Sequence, residues 1–233
     1  MLNPPFLHFD TPSLANGSHY EIPALPPLWT LWDKGDVQTD ATPIPDATEC
    51  HALWDHYAMF EHIRRHSQQV ADMATALARR AIELGFWLKR QDELIALTQA
   101  SGLLHDIAKS YTVQYGGSHA QTGASWVIAS TGNHRIAQAV FHHVEWPWEL
   151  PDDLVHPVFL VLYADKRTRH DELVTLEERY VDLQERYGTS EHSRIAILRG
   201  REHAITIERA LSAQLEFPLH ESTVVGGRLV KRA

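Results

Sequence analysis

The run Val158-Phe-Leu-Val-Leu-Tyr-Ala164 ends on an aspartate, Asp165. Seven apolar or aromatic residues leading into a carboxylate place that carboxylate inside the protein. A buried carboxylate must be paired, protonated or bound to metal. The same pattern occurs upstream. Ala100-Ser-Gly-Leu-Leu-His-Asp-Ile-Ala-Lys109 carries His105 and Asp106 at the end of an apolar segment, and His66 lies in an earlier helical stretch. Two imidazoles and two carboxylates make a nitrogen and oxygen donor set that suits a divalent cation.

Hydrophobic period assigns the elements around these residues. Ile63, His66, Val70, Met73, Leu77, Ala81 and Leu84 follow steps of three and four and stop at Gly85. This predicts a helix with His66 on its inward face. Residues 91–109 are apolar nearly all round, as in a central buried helix. Ser118 is a candidate N-cap for a helix over 119–130, and Gly132 or Asn133 begins another toward His143. Pro151 and Pro157 punctuate the approach to the Asp165 helix. Leu173, Leu176, Tyr180, Leu183 and Tyr187 form a further helical face, stopped by Gly188. A last helix covers about 190–213. No two segments read as a convincing strand pair, so the fold class is all-α.

The chain divides into three. Residues 1–50 hold 8 of the 12 prolines, with Trp29 and Trp32, and read as an irregular N-terminal arm. Residues 51–213 form the helical domain. Residues 214–233, with Gly226-Gly227, read as a C-terminal tail that includes a short extended segment. A chain of 233 residues can bury one sizeable core. No apolar run approaches the roughly 18 residues of a membrane span. The opening Met-Leu-Asn-Pro-Pro-Phe has neither a basic nor an apolar signal region, so a cytoplasmic protein without membrane contact is expected. The one cysteine, Cys50, cannot form an intramolecular disulfide. A net charge of −9 argues against a general nucleic-acid-binding surface.

Each candidate has a structural reading as well. His66 alone reads as a core histidine bonded to a backbone carbonyl. His105 and Asp106 alone read as a helix C-terminus, where the dipole favours a histidine. Adjacent helical residues point about 100° apart, so they converge on one ion only at the helix flank, with a second helix supplying other ligands. Together, however, the pattern resembles the HD-domain superfamily of metal-dependent phosphohydrolases over roughly residues 51–213. Gly102-Leu-Leu-His-Asp-Ile-Ala-Lys109 is the most specific fragment, with Arg65-His66-Ser67 before it and Ala164-Asp165 after it.

The resemblance implies an all-helical HD bundle, metal ligation by His66, His105, Asp106 and Asp165, and hydrolysis of phosphate esters, often of nucleotides. It also implies a second metal. His119, in Ser-His119-Ala-Gln-Thr-Gly-Ala124, matches an added ligand of two-metal members, and His143 matches another, with His142 as its competitor. The His142-His143-Val-Glu145 string is similar to the cyclic-dinucleotide phosphodiesterase branch, but Trp146-Pro-Trp148 stands where that branch carries Gly-Tyr-Pro. Other pieces resemble diadenosine-tetraphosphate hydrolases and HD domains associated with molybdenum-cofactor nucleotidyltransferase-like proteins.

In a dinuclear site Asp106 bridges two ions, with Mn or Fe favoured and Co, Ni, Zn or Mg compatible. The ions would lower the pKa of a shared water and hold a hydroxide in line with phosphorus, so no protein nucleophile is required. Lys109, one turn beyond His105, is placed to hold a substrate phosphate as a point charge. Arg167 and Arg169 follow Asp165 closely and are further candidates for substrate binding, although the macrodipole alone favours basic residues there. The expected activity is a metal-dependent phosphohydrolase or phosphodiesterase, with a metal-activated hydroxide attacking a small nucleotide or related phosphate ester. The alternatives are a di-iron oxygenase using the same ligands and a non-catalytic nucleotide-binding regulatory module.

Overall fold

The computed structural model describes residues 42–232. Most of the expected N-terminal arm, with Trp29 and Trp32, lies outside the described residues. The first helix of the described residues, α1 (Ala47–His56), begins inside the span assigned to the arm. Asp46 and Glu49 form a capping box at its start, each side chain accepting from the other residue's backbone N–H. Cys50 and Trp54 of α1 are buried, and the Trp54 indole donates to the Leu103 carbonyl at 2.8 Å. α1 thus starts four residues before the boundary expected after residue 50, and its cap lets it bury an apolar face that a loop cannot.

α2 (Glu61–Glu83) buries Ile63, His66, Val70, Met73, Leu77 and Ala81, the face expected from the period. α3 (Gln91–Leu104) packs against α2, and the two backbones meet closely. A Cβ built on Gly102 would lie 2.5 Å from the Cα of Ala71, so position 102 admits only glycine. The continuous helix expected over 91–109 is broken. Residues 105–108 form turns in which Ile107 N–H donates to the Leu104 carbonyl and Lys109 N–H to that of Asp106. The chain then restarts as α4 (Lys109–Tyr115).

α5 (His119–Thr131) is capped by Ser118 and ends at Gly132, whose φ of +68° suits glycine. α6 (His134–His142) is capped by Asn133, which accepts from the N–H groups of Arg135 and Ile136. α7 (Pro157–Lys166) starts with proline, which lacks only an N–H that the first helical turn leaves unpaired. It is almost wholly buried and packs on α2, α3 and α6. Short strands β1 (Thr168–Arg169) and β2 (Glu172–Leu173) pair antiparallel around His170, which takes a left-handed φ of +55°. α8 (Leu176–Tyr187) opens on a Thr175–Glu178 capping box, and α9 (Glu191–Gln214) follows.

The tail is more ordered than expected. After a single turn at Leu219–Glu221, β3 (Ser222–Val225) and β4 (Arg228–Lys231) form an antiparallel hairpin over Gly226-Gly227, in register Thr223 to Val230. The hairpin packs on α2, where Arg79 donates to the Gly227 carbonyl at 2.9 Å. The bundle is thus all-helical apart from two small strand pairs. Among the described residues no helix is long and apolar enough to cross a membrane.

Candidate metal centre

Five separate stretches deliver the six candidate ligands to one place. His66 comes from the inward face of α2. His105 and Asp106 lie in the turn after α3, with His105 Nε2 and Asp106 Oδ2 3.4 Å apart. His119 opens α5, His143 follows α6 directly, and Asp165 is the penultimate residue of α7. His105 and Asp106 are completely buried, and His66, His143 and Asp165 nearly so.

The two oxygens of Asp106 face different neighbours. Its Oδ2 lies 3.8 Å from His66 Nε2 and 3.4 Å from His105 Nε2. Those two nitrogens lie 3.0 and 3.8 Å from Asp165 Oδ1. On the other side, Asp106 Oδ1 is 3.5 Å from both His119 Nε2 and His143 Nε2, which are 3.1 Å apart. Two groups of donors therefore share one carboxylate.

Backbone carbonyls aim the imidazoles. His66 Nδ1 contacts the His170 carbonyl at 2.7 Å, His105 Nδ1 that of Gly102 at 2.8 Å, and His143 Nδ1 that of Val140 at 2.6 Å. A carbonyl only accepts, so in each ring Nδ1 carries the hydrogen and, in the neutral ring, Nε2 keeps its lone pair. This is how metal-ligating histidines are held elsewhere.

The set fits a divalent ion on two counts. Ligand bonds of about 2.0–2.2 Å set neighbouring donor atoms about 3 to 3.6 Å apart in octahedral or tetrahedral geometry, close to the spacings found. Second, His105 Nε2 and Asp106 Oδ1 are buried without a hydrogen bond among the described residues. Orphaned buried polar atoms are rare and call for an ion or a water. Two triads are compact enough to hold an ion, His66, His105 and Asp165, and His105, Asp106 and His143, with His105 common to both and His119 beside the second.

The electrostatics agree. Burial alone would protonate Asp106, but Lys109 and His105 hold its pKa well below the usual range. Burial opposes ionisation of Asp165 too, and Lys166, His66 and His105 outweigh it. Burial pushes His143 down, and His119 down to about 4, so both are neutral donors at pH 7. Burial also disfavours a charged His105, yet Asp106 and Asp165 raise its pKa overall.

Lysines brace the carboxylates from outside. Lys109 Nζ donates to Asp106 Oδ2 at 2.6 Å while lining a cavity beside the site. Lys166 Nζ donates to Asp165 Oδ2 at 2.8 Å and to the His143 carbonyl at 3.1 Å, so it ties the two donor groups together. His142 stands apart from the cluster, between the rings of Trp146 and Trp148 at 5.0 and 5.2 Å.

Two of the expected substrate-binding residues are placed elsewhere. Arg167 is completely buried and does not face the cavity. Its guanidinium is spent on the Val174, Leu219 and Ser222 carbonyls, the Ser222 hydroxyl and the Tyr163 hydroxyl. It fastens the C-terminal segment to the end of α7. Arg169 pairs with Glu172 across the β1–β2 ladder, 3.8 Å away, and does not line the cavity either. The cations that do line it with Lys109 are Arg65, Arg179 and Arg186. Arg65 neighbours a proposed ligand in sequence and was the readable one. Nothing local in the α8 sequence shows that its arginines reach this cavity.

A family model described as HD domain matches residues 63–188, more than half of the chain. No curated protein and no solved structure matches it.

Proposed function

Because the chain belongs to the HD-domain family, a superfamily of metal-dependent phosphohydrolases, we propose that it hydrolyses a small nucleotide or related phosphate ester at a dinuclear site. The observation that carries this reading is the division of Asp106, with Oδ2 toward His66 and His105, the two rings that also meet Asp165, and Oδ1 toward His119 and His143. Asp106 would then be the residue common to both ions, with His66, His105 and Asp165 holding one and His119 and His143 the other. Ions bound there would lower the pKa of water to near neutrality and offset charge on the phosphoryl oxygens.

The remaining work falls to the chain's own groups. The backbone carbonyls of His170, Gly102 and Val140 keep three imidazoles in the donor tautomer. Lys166 holds the outer oxygen of Asp165, leaving Oδ1 turned inward. Burial opposes the charge on Lys109, but Asp106 and Asp165 raise its pKa, so its Nζ keeps a proton to donate to a substrate phosphate in the adjoining cavity. Mn and Fe are the ions this nitrogen and oxygen set favours over Mg.

The test is metal analysis of protein purified without chelator, then a panel of phosphate esters with Mn, Fe, Co, Ni, Zn and Mg. About two ions per chain and hydrolysis of at least one ester are expected. Asp106→Ala should lose both. An Asp106→Ala protein with full metal content would overturn the bridging role. A wild-type protein that splits no phosphate ester but consumes oxygen with iron would replace the hydrolase by an oxygenase.

A further inference from the structure

The cavity beside the donor cluster has a volume of about 520 Å³, within the range of small-molecule sites. Four cations wall it, Arg65, Lys109, Arg179 and Arg186, in a chain whose net charge is −9. Their partners are unevenly shared. Lys109 has Asp106 at 2.6 Å, and Arg65 has Asp171 at 3.1 Å. Among the described residues Arg179 and Arg186 have one carboxylate between them, Asp182, at 3.3 and 3.5 Å, so within that set the pair carries one positive charge in excess.

Arg179 is the more telling of the two. Its side chain is 14% exposed, and its Nε is buried with no hydrogen bond among the described residues. A largely buried guanidinium with an unused N–H is costly unless an acceptor arrives. Surface ion pairs do not look like this, since water satisfies their spare donors. The two arginines lie seven residues apart, two helical turns, on one face of α8. That helix is held firmly. The Thr175–Glu178 box caps it, and Tyr180 donates to the Gly200 carbonyl at 2.8 Å. At its end the Arg186 guanidinium lies 5.2 Å from the centroid of the Tyr187 ring, which also lines the cavity.

We infer that Arg179 and Arg186 form a second anion subsite, so that the substrate is an ester carrying a phosphate group besides the one that reacts. The inference rests on the phosphohydrolase reading, with the reacting phosphate at the His and Asp cluster. Guanidinium forks match phosphate oxygens in pairs, whereas Lys109 offers a point charge. The second phosphate is either joined directly to the first, as in a nucleoside diphosphate, or carried at a distance, as in a bisphosphate.

The test is calorimetric titration of the metal-loaded full chain with three non-hydrolysable phosphonate probes, the analogues of adenosine monophosphate, adenosine diphosphate and adenosine 3′,5′-bisphosphate. One of the two probes with a second phosphate should bind about tenfold or more tighter than the probe with one. Which of the two does so identifies how the second phosphate is attached. The preference should fall to about one in Arg179→Gln and in Arg186→Gln, with metal content unchanged. Arg186 is half exposed, so its replacement decides the matter even where the Arg179 variant fails to fold. Equal binding of all three probes, or a preference that survives the Arg186 substitution, overturns the subsite. A chain that shows the arginine-dependent preference yet hydrolyses no ester loses the proposed reaction and keeps the subsite.

Discussion

Replacing Arg167 by Ala separates a buried clamp from a substrate ligand. In the wild-type protein the guanidinium is fully enclosed. It donates to the Val174 carbonyl at 2.6 Å, the Ser222 carbonyl at 2.9 Å, the Tyr163 hydroxyl at 2.6 Å and the Leu219 carbonyl. The Glu208 carboxylate lies 3.7 Å away. Alanine would withdraw the donor from three buried carbonyls, at about 1–3 kcal/mol for each left unsatisfied. Two effects reduce that total. The Leu219 carbonyl keeps the Ser222 hydroxyl at 2.6 Å, and a buried charge no longer has to be desolvated. The net loss expected for breaking such a buried network is about 3–5 kcal/mol, a large part of the ~5–15 kcal/mol stability of a typical domain. Urea unfolding followed by circular dichroism should show a lower midpoint for Arg167→Ala with an unchanged slope. A variant destabilised by less than about 1 kcal/mol, with KM raised instead, would refute the clamp and return Arg167 to substrate binding.

His143→Ala should remove about one of two bound ions, because His143 Nε2 lies 3.5 Å from the shared Asp106, whereas His142→Ala should leave metal content intact. Elemental analysis of both variants decides it, and the reverse pattern would shift the ligand by one residue. Glu93 sits between Arg90 and Arg135, joining α3 to α6. Burial raises its pKa, but these two partners outweigh that and lower it overall. A depressed carboxylate stabilises the fold above its unfolded pKa, about 4.3, and that stability is lost as pH falls through the folded value. Glu93→Gln should therefore cost about 1 kcal/mol at neutral pH, and the gap should close in acid. A gap independent of pH would contradict the ion-pair account.

Periodicity carried the helices and put His66 inward, because burial of a helical face is written at steps of three and four. The apolar run before Asp165 similarly foretold an interior carboxylate. The break at 105–108 was illegible, since a continuous apolar stretch reports burial and not backbone path. Arg167 misled for a related reason. Two residues past Asp165 it lies about 200° round the helix, turned away from the cluster that its neighbour faces. Arg179 and Arg186 were visible as helical residues, but only tertiary packing brings α8 to the cavity. The Asp46–Glu49 box was a readable signal inside a stretch whose composition looked irregular, and Gly226-Gly227 marked an extended segment without showing that two strands pair across it.

Gly102 joins two roles in one peptide. Its missing side chain lets α3 rest on the Ala71 backbone of α2, and its carbonyl orients the His105 ring. One donor imidazole is thereby gauged against the helix that bears another, His66, by main-chain atoms alone. Side chains hop between rotamers, and a spacing set through them would blur with each hop. A backbone contact behaves as a machinist's stop: it cannot be compressed, and it adds no rotatable bond to the chain of references. Coarse swaps in the surrounding core can then alter how tightly the bundle holds together without rescaling the aperture between these two rings. Any residue larger than glycine at 102 would instead wedge the helices and widen that aperture directly.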